Sequence, residues 1–504
     1  MRYLSTRDAK NRATAAQAIA RGLASDGGLY VPEVLPSLSE NAIETMLTMS
    51  YQQRAVYVMG SFLGDFTSAE IINYAEKAYN SRNFDHPAIA PVHTLFDDTH
   101  FLELWHGPTC AFKDMALQIM PYLLTASLEK TGEKRKVCIL VATSGDTGKA
   151  ALEGFRDVDR TKILVFYPDG GVSDIQKLQM TAQAGNNVGV CAVRGNFDDT
   201  QTGVKVIFSD AEFNKKLAGM GYMLSSANSI NWGRLLPQIV YYISGYCDLV
   251  RSERIKAGDK INVCVPTGNF GNILAAYYAR KMGLPIGKLI CASNENNVLT
   301  DFIRTGVYDR NRDFHATISP SMDILVSSNL ERLLFDMSGC DDGLIKTYMD
   351  NLSREGHYVV NPEIRSKLDK LFWSGYCSDE KTKQVINATY KKYGYLIDTH
   401  TAVAFDILNH YRFDTGDKSP ALVVSTANPY KFCDSVLSAL GTPYGANARS
   451  GAGGGLELLK KLSDVTGVAP PNSLVDLAGK RERFNTVVDK DQMPQVVEEF
   501  IVQK

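Results

Sequence analysis

The sequence has no C-x-x-C pair, no unbroken apolar run of membrane-spanning length and almost no net charge, and each absence removes a class of function. Its nine cysteines, Cys110, Cys138, Cys191, Cys247, Cys264, Cys291, Cys340, Cys377 and Cys433, are odd in number and widely spaced. That is the pattern of reduced core residues in a cytosolic protein. The best membrane candidate, the uncharged run from Ile261 to Ala279, is interrupted by Pro266, Gly268, Asn269, Gly271 and Asn272. With 54 Lys+Arg against 56 Asp+Glu the net charge is −2. Mixed charge of this kind leaves no footprint for nucleic acid or an anionic membrane, so any anionic ligand must be held locally. The basic N-terminus lacks an apolar h-region and carries Asp8, which argues against a secretory signal and leaves a transit peptide as an open alternative.

What is present is a long globular chain: 504 residues, 44% apolar and 22% charged. From about residue 136 one theme repeats, a short β-branched apolar run ending in glycine or polar residues and then a helix-compatible segment. The runs are "KVCILVATSG", "KILVFYP", "NVGVCAVRG", "INVCVPTGNFGN", "KLICASN" and "ALVVSTANP". Apolar runs without alternation predict strands covered on both faces, hence a doubly wound parallel α/β sheet with ligands at the carboxyl ends of its strands. Residues 1–90 read as a helix-rich N-terminal domain, 91–450 as a catalytic α/β region of two intertwined lobes, and 451–504 as a helical extension. "SGAGGG", Ser450 to Gly455, reads as a flexible joint in preference to a phosphate cradle.

Five stretches carry candidate chemistry. In "HGPTCAFKDMALQ", Gly107 and Pro108 break the chain before Lys113, and a helix is expected from Asp114 to Leu128. A lysine in a first helical turn, partly buried beside Phe112, loses its proton more easily and becomes a nucleophile able to form Schiff bases. A surface lysine is the plain alternative. "ATSGDTGKAA" puts Gly145 and small residues between strand and helix, where free amides attract an anion and where Asp146 fits an N-cap equally well. "PTGNFGNI" has Gly268 and Gly271 at the same kind of junction, suited to a small phosphate monoester; it is neither a Walker A nor a G-x-G-x-x-G loop, and a tight turn would look the same. "SSANSINWGR" offers Asn228, Ser229, Asn231 and Arg234 to a second oxyanion, or simply caps a helix. "VVSTANP" ends a strand in Ser425 and Thr426, where a neutral hydroxyl can face a ring nitrogen or make an ordinary turn. Taken in order, an amine, a phosphate nest and a hydroxyl at a strand end match the needs of pyridoxal phosphate.

At these motifs the sequence resembles the threonine synthase family, of the longer microbial and fungal type within the fold-type II pyridoxal-phosphate enzymes. The match spans "GLASDGGLYVP", "HGPTCAFKD", "TSGDTG", "NSINWGR", "GNFGN" and "STANP". The resemblance implies a tryptophan synthase β-like fold of two doubly wound α/β lobes plus the N-terminal domain. It implies pyridoxal 5'-phosphate on Lys113, its phosphate held by Gly268, Asn269, Phe270, Gly271 and Asn272, and its ring nitrogen faced by Thr426. It further implies Asp146 near the ring, Thr143, Ser144 and Thr147 at the substrate carboxylate or phosphate, and Asn228 and Arg234 as a clamp on the substrate phosphate. Three departures stand out: Asn272 where many relatives carry Asp, Lys149 where a small residue is common, and "YPDGGVSDIQ" without the usual basic residue and proline.

The reaction implied converts O-phospho-L-homoserine and water to L-threonine and phosphate in the cytoplasm, with a small-molecule substrate, no metal, no nucleic acid, no membrane, and a monomer or homodimer as the working unit. Two alternatives remain open at this point. One is a phospho-lyase on the same scaffold that releases 2-oxobutyrate. The other is a non-catalytic module binding pyridoxal phosphate or a phosphorylated amino acid.

Overall fold

The apolar runs become strands because β-branched side chains on both faces have helices to pack against. In a computed structural model that describes residues 1–96, 98–442 and 452–503, the chain opens with an antiparallel sheet of β1 (Arg2–Ser5), β2 (Arg12–Thr14) and β3 (Tyr30–Pro32) in the order β2-β1-β3. Of four helices, Ala15–Arg21, Glu40–Leu47, Tyr51–Phe62 and Ser68–Ala78, the first packs against β1 and β2, and the second and third pack against the long helix Trp232–Arg251. Sequence periodicity shows those helices and misses the sheet, whose strands are three or four residues long.

The remaining strands are β4 (Val92–Phe96), β5 (Thr99–Glu103), β6 (Lys136–Ala142), β7 (Thr161–Pro168), β8 (Val188–Val193), β9 (Tyr222–Ser225), β10 (Ile261–Pro266), β11 (Ile286–Ser293), β12 (Val307–Asp309), β13 (His357–Val359), β14 (Phe372–Tyr376), β15 (Ala421–Ser425) and β16 (Val487–Val488). One sheet has the order β14-β11-β10-β15-β5-β4, parallel except for the antiparallel edge β4; a second is parallel throughout in the order β16-β8-β7-β6-β9, and β12 and β13 form a separate antiparallel pair. These are the two α/β lobes expected. The 20-residue helix Trp232–Arg251 is buried over most of its length. Non-adjacent strands pair through crossovers, so the carboxyl ends of β6, β10 and β15 carry the loops read above as candidate sites.

Three local expectations change. The helix after Lys113 is broken into Asp114–Leu117 and Met120–Lys130. Pro121 has no N–H to give to the Leu117 carbonyl, and that carbonyl lies 2.1 Å from where a Cβ on Gly154 would be, so glycine is required there. Of the supposed joint, Ser450 and Gly451 lie outside the described residues, and residues 452–455 begin the helix Ala452–Thr466. Past that helix the tail is not merely helical and peripheral. β16 extends the five-stranded sheet beside β8, and Met493, Val497, Phe500 and Ile501 are buried in that lobe's core.

All nine cysteines are free, and eight are buried. No described helix is long and apolar enough to cross a membrane, and no group of three potential metal ligands occurs among the described residues.

Candidate active site

Lys113 is 7% exposed and caps a helix of only four residues. So short a helix has little dipole, and the lysine's chemistry has another origin. Burial, opposed by Asp146 and reinforced by Arg234 and Lys431, moves its ammonium from 10.5 down to about 8. Its Nζ lies over the Phe112 ring, 5.4 Å from the centroid. The loop before it is held by Asp114, which accepts from the Thr109 N–H at 2.8 Å and the Thr109 hydroxyl at 2.7 Å. A Cβ on Gly107 would fall 2.5 Å from Asp114, so the turn cannot tolerate a side chain there. Burial lifts the Asp114 carboxyl to about 6.

Asp146 is not the N-cap, which is Gly145, but the first residue of the helix Asp146–Gly154. It is 3% exposed and stands between two lysines, with Oδ1 at 2.8 Å from Lys431 Nζ and Oδ2 at 3.5 Å from Lys113 Nζ. Burial alone would raise its pKa; Lys431 and Lys113 outweigh burial and hold the carboxyl well below its usual range. Gln176 Nε2 donates to Oδ1 at 2.9 Å. Thr143 accepts the Gly145 and Gly148 N–H groups, both at 2.9 Å, so its oxygen shapes the turn. Ser144 and Thr147 are half-buried at the same junction. Lys149 faces away into a buried ion pair with Glu153 at 3.0 Å and hydrogen-bonds Gln183, which neutralises the unusual residue locally. Gly170, Val172, Ser173 and Asp174 line a cavity of about 390 Å³ together with Lys431.

The glycine loop joins β10 to the helix Gly271–Lys281. Phe270, at φ 63°, turns the chain into that helix, and no side chain caps the first amides. A Cβ on Gly268 would lie 2.7 Å from the Ser321 carbonyl oxygen. The Gly268 carbonyl accepts from Ser327 Oγ at 2.7 Å, and the Asn269 carbonyl accepts from the Asn329 backbone N–H at 3.1 Å and its Nδ2 at 3.0 Å. Asn272 Oδ1 accepts from Tyr241 and Tyr242, both at 2.5 Å, which leaves its buried Nδ2 without a partner.

Arg234 is 3% exposed and has no carboxylate partner among the described residues. One Nη1 donates to the Ala227 carbonyl at 2.5 Å, Nε is buried and unpaired, and burial pushes the guanidinium down to about 10. Asn228 is half-buried beside it. Ser229 and Asn231, also candidates in the sequence, are structural: Ser229 accepts from Asn329 at 2.9 Å and Asn231 caps the helix Trp232–Arg251. At β15, Ser425 is bonded to Trp105 at 3.0 Å and Thr401 at 3.1 Å. The neighbouring Thr426 is 5% exposed, receives the Phe112 N–H on its carbonyl at 2.8 Å and keeps its hydroxyl free of described partners.

Sequence reasoning missed Lys431, Ser321 and Arg332. Lys431 lies two residues past "STANP" and could have been flagged as a lysine beside a candidate motif. Arg332 is wholly buried and ties the Ser229 and Ile230 carbonyls to Asn329, organising the loop that leads to Arg234. Ser321 belongs to a stretch with no motif at all.

A family model for the threonine synthase N terminus matches residues 2–79, and one for pyridoxal-phosphate dependent enzymes matches residues 98–427. Threonine synthase from Pseudomonas aeruginosa is 41% identical over 87% of this chain and 90% of its own length. The chain belongs to the threonine synthase family. The solved structure of pyridoxal-phosphate-bound threonine synthase from Brucella melitensis superposes with a TM-score of 0.85 at 36% identity, over 99% of this chain and 98% of that one. Human threonine synthase-like 1 is 43% identical over 84% of this chain, and the chain spans 58% of that protein's length. The fold is the fold-type II arrangement of this family of pyridoxal-phosphate enzymes. The residues fit that cofactor. Lys113 is buried and easily deprotonated, an uncapped helix start follows the glycine loop, and Asn272 Nδ2, in that helix's first turn, is an orphaned donor suited to a phosphate oxygen.

Proposed function

We propose that the chain converts O-phospho-L-homoserine and water to L-threonine and phosphate, as a carbon–oxygen lyase acting on a phosphate ester. The observation that carries this reading is Arg234. A buried guanidinium with no carboxylate is costly unless a ligand anion completes it, and it lies close enough to Lys113 to depress that lysine's pKa. A cofactor phosphate in the glycine loop and a substrate phosphate at Arg234 account for two anion sites flanking one amine.

Pyridoxal phosphate, when bound, supplies an electron sink that makes the hydrogen at an amino acid's Cα acidic. Gly268, Asn269, Phe270, Gly271 and Asn272 would hold its phosphate, Thr426 would face its ring nitrogen, and Lys113 would carry it covalently. A hydroxyl at the ring nitrogen stays neutral and does not force a full positive charge on the ring. Once substrate has freed the Lys113 amine, that amine is placed to take a proton from Cα and another from Cβ, and to return one to Cγ and one to Cα. Arg234 and Asn228 fix the substrate phosphate, so that the bond from Cγ to oxygen breaks with phosphate as leaving group. Ser144 and Thr147, with the amides at the start of the helix Asp146–Gly154, orient the carboxylate, and Thr143 shapes their turn. The hydroxyl at Cβ of the product would come from water, whose remaining proton balances the departing phosphate. Lys431 keeps Asp146 anionic after Lys113 has given up its charge.

We further divide the chain at residues 90 and 450, the six-stranded sheet beginning just past the first boundary and the extension after the second completing the five-stranded lobe with β16, and place it in the cytoplasm, which the free, mostly buried cysteines support. A monomer or homodimer needs no partner beyond the substrate.

The test is a product assay of cofactor-loaded protein with O-phospho-L-homoserine. Threonine formed in step with phosphate is expected. Phosphate with 2-oxobutyrate would make the chain a phospho-lyase, and cofactor binding without turnover would make it a binding module.

A further inference from the structure

We propose that Ser321 is a further catalytic residue, the hydroxyl that holds the Lys113 amine, and that His400 and Asp398 position it; this rests on Lys113 being the cofactor lysine. Ser321 Oγ lies 3.2 Å from Lys113 Nζ and 3.3 Å from Asp146 Oδ2. An ionised carboxylate only accepts, so the serine O–H donates to Asp146 and its lone pairs face the amine. Direction is thereby fixed along the chain Lys113 to Ser321 to Asp146. The two lysines share Asp146 unequally: Lys431 touches it at 2.8 Å, whereas Lys113 stands off at 3.5 Å. Ser321 is the group on the Lys113 side. It gives the amine a neutral acceptor in place of a full contact ion pair, which would keep the proton on nitrogen, and it restrains a flexible four-carbon side chain.

The backbone of Ser321 is anchored as carefully as its hydroxyl. Its N–H donates to His400 Nε2 at 3.2 Å, so that nitrogen carries a lone pair, and His400 Nδ1 donates to Asp398 Oδ2 at 2.7 Å. Asp398 and His400 are buried, 0% and 2% exposed. The other Asp398 oxygen takes the Thr401 N–H at 3.0 Å and its hydroxyl, and Thr401 bonds Ser425 beside Thr426. The Ser321 carbonyl in turn abuts Gly268 of the glycine loop. Residue 321 therefore meets the amine with its hydroxyl, the glycine loop with its carbonyl and the Thr426 strand through His400. An Asp, His and Ser in contact suggest a nucleophile triad, yet the ring accepts from the serine backbone and not from its hydroxyl. It aligns the loop and does not activate the oxygen.

The experiment strips the full-length protein of pyridoxal phosphate, adds it back, and follows covalent attachment by absorbance and, after borohydride reduction, by peptide mass at Lys113. Ser321→Ala is expected to attach at Lys113 about tenfold more slowly, the loss of one hydrogen bond to the reacting nitrogen. Ser321→Thr, which restores a hydroxyl, should return to within about threefold of the parent, and His400→Phe should be slowed as well. Attachment by Ser321→Ala at the parental rate, or no rescue by threonine in a protein of unchanged thermal stability, overturns the proposal. If Ser321→Ala fails to fold, His400→Phe decides: slowing supports the assignment and the parental rate overturns it. Failure of the parent itself to be modified at Lys113 would instead overturn the cofactor reading, and this proposal with it.

Discussion

At Arg234 a positive charge is buried without a carboxylate partner among the described residues, which is poor design for stability and good design for binding an anion. Arg234→Met should therefore leave the cofactor-free protein within about 1 kcal/mol of the parent, or make it more stable, in a denaturant titration. The same change should raise KM for the phosphorylated substrate about a hundredfold, the loss of about 3 kcal/mol of charged hydrogen bonding. Lys113 makes the complementary case through pH. Its folded pKa, about 8, is below the unfolded 10.5. Below 8 both states hold the proton and the folded state bears the full cost of burying it; between 8 and 10.5 only the unfolded state holds it, so stability rises with pH. Lys113→Met should thus be more stable than the parent below that window, with the advantage fading across it. Unfolding midpoints on either side of the window check this, and the variant should show no turnover at any pH.

At the level of elements, sequence pattern found the strands β6, β7, β8, β10, β11 and β15 and overlooked β5, β9 and β14. The overlooked ones, "THFLE", "YMLS" and "FWSGY", are short and carry polar residues, and they become strands because neighbours offer free edges: β5 fits between β15 and β4. The end of β5 carries a clasp. His106 donates toward Asp85 at 2.6 Å and Glu103 at 2.8 Å; burial pulls its pKa down, but those two carboxylates outweigh burial and lift it to about 9. The clasp contributes its full stability below the ordinary value of 6.5 and loses it as pH rises through 9. His106→Gln should therefore lower the thermal midpoint most in mild acid and hardly at all above 9. In the glycine loop, Gly268→Ala should cost about 1–3 kcal/mol, because its methyl would press on the Ser321 backbone, which cannot swing aside as a side chain could. Thermal denaturation of the cofactor-free protein measures it.

On the scale of the whole molecule, the tail is part of the second lobe. Lys162 Nζ is held by the Phe500 carbonyl at 2.7 Å and the Gln503 carbonyl at 2.5 Å, β16 covers the edge of β8, and Met493, Val497, Phe500 and Ile501 are buried there. Removing residues 485–504 would uncover that edge and lose four apolar side chains worth about 1.5–3 kcal/mol each, comparable with the whole stability of a typical domain. The truncated chain should aggregate on expression, and size-exclusion chromatography, in which the full chain should elute as a defined species, checks it.

By itself the sequence determined the class of the protein. Unalternating apolar runs dictate covered parallel strands, and glycine or small residues at their ends dictate where anions can approach backbone amides, because these are local properties of the backbone. Tertiary structure alone decided which polar groups kept a free donor and which became scaffolding. Thr143, Ser229 and Asn231 went to backbone and side-chain hydrogen bonds, while Arg234 and Asn272 kept an unpaired donor. It also brought Lys431, Ser321 and His400 to Lys113 from hundreds of residues away. Burial and distance set charge, and neither is written in the spacing of residues along a chain.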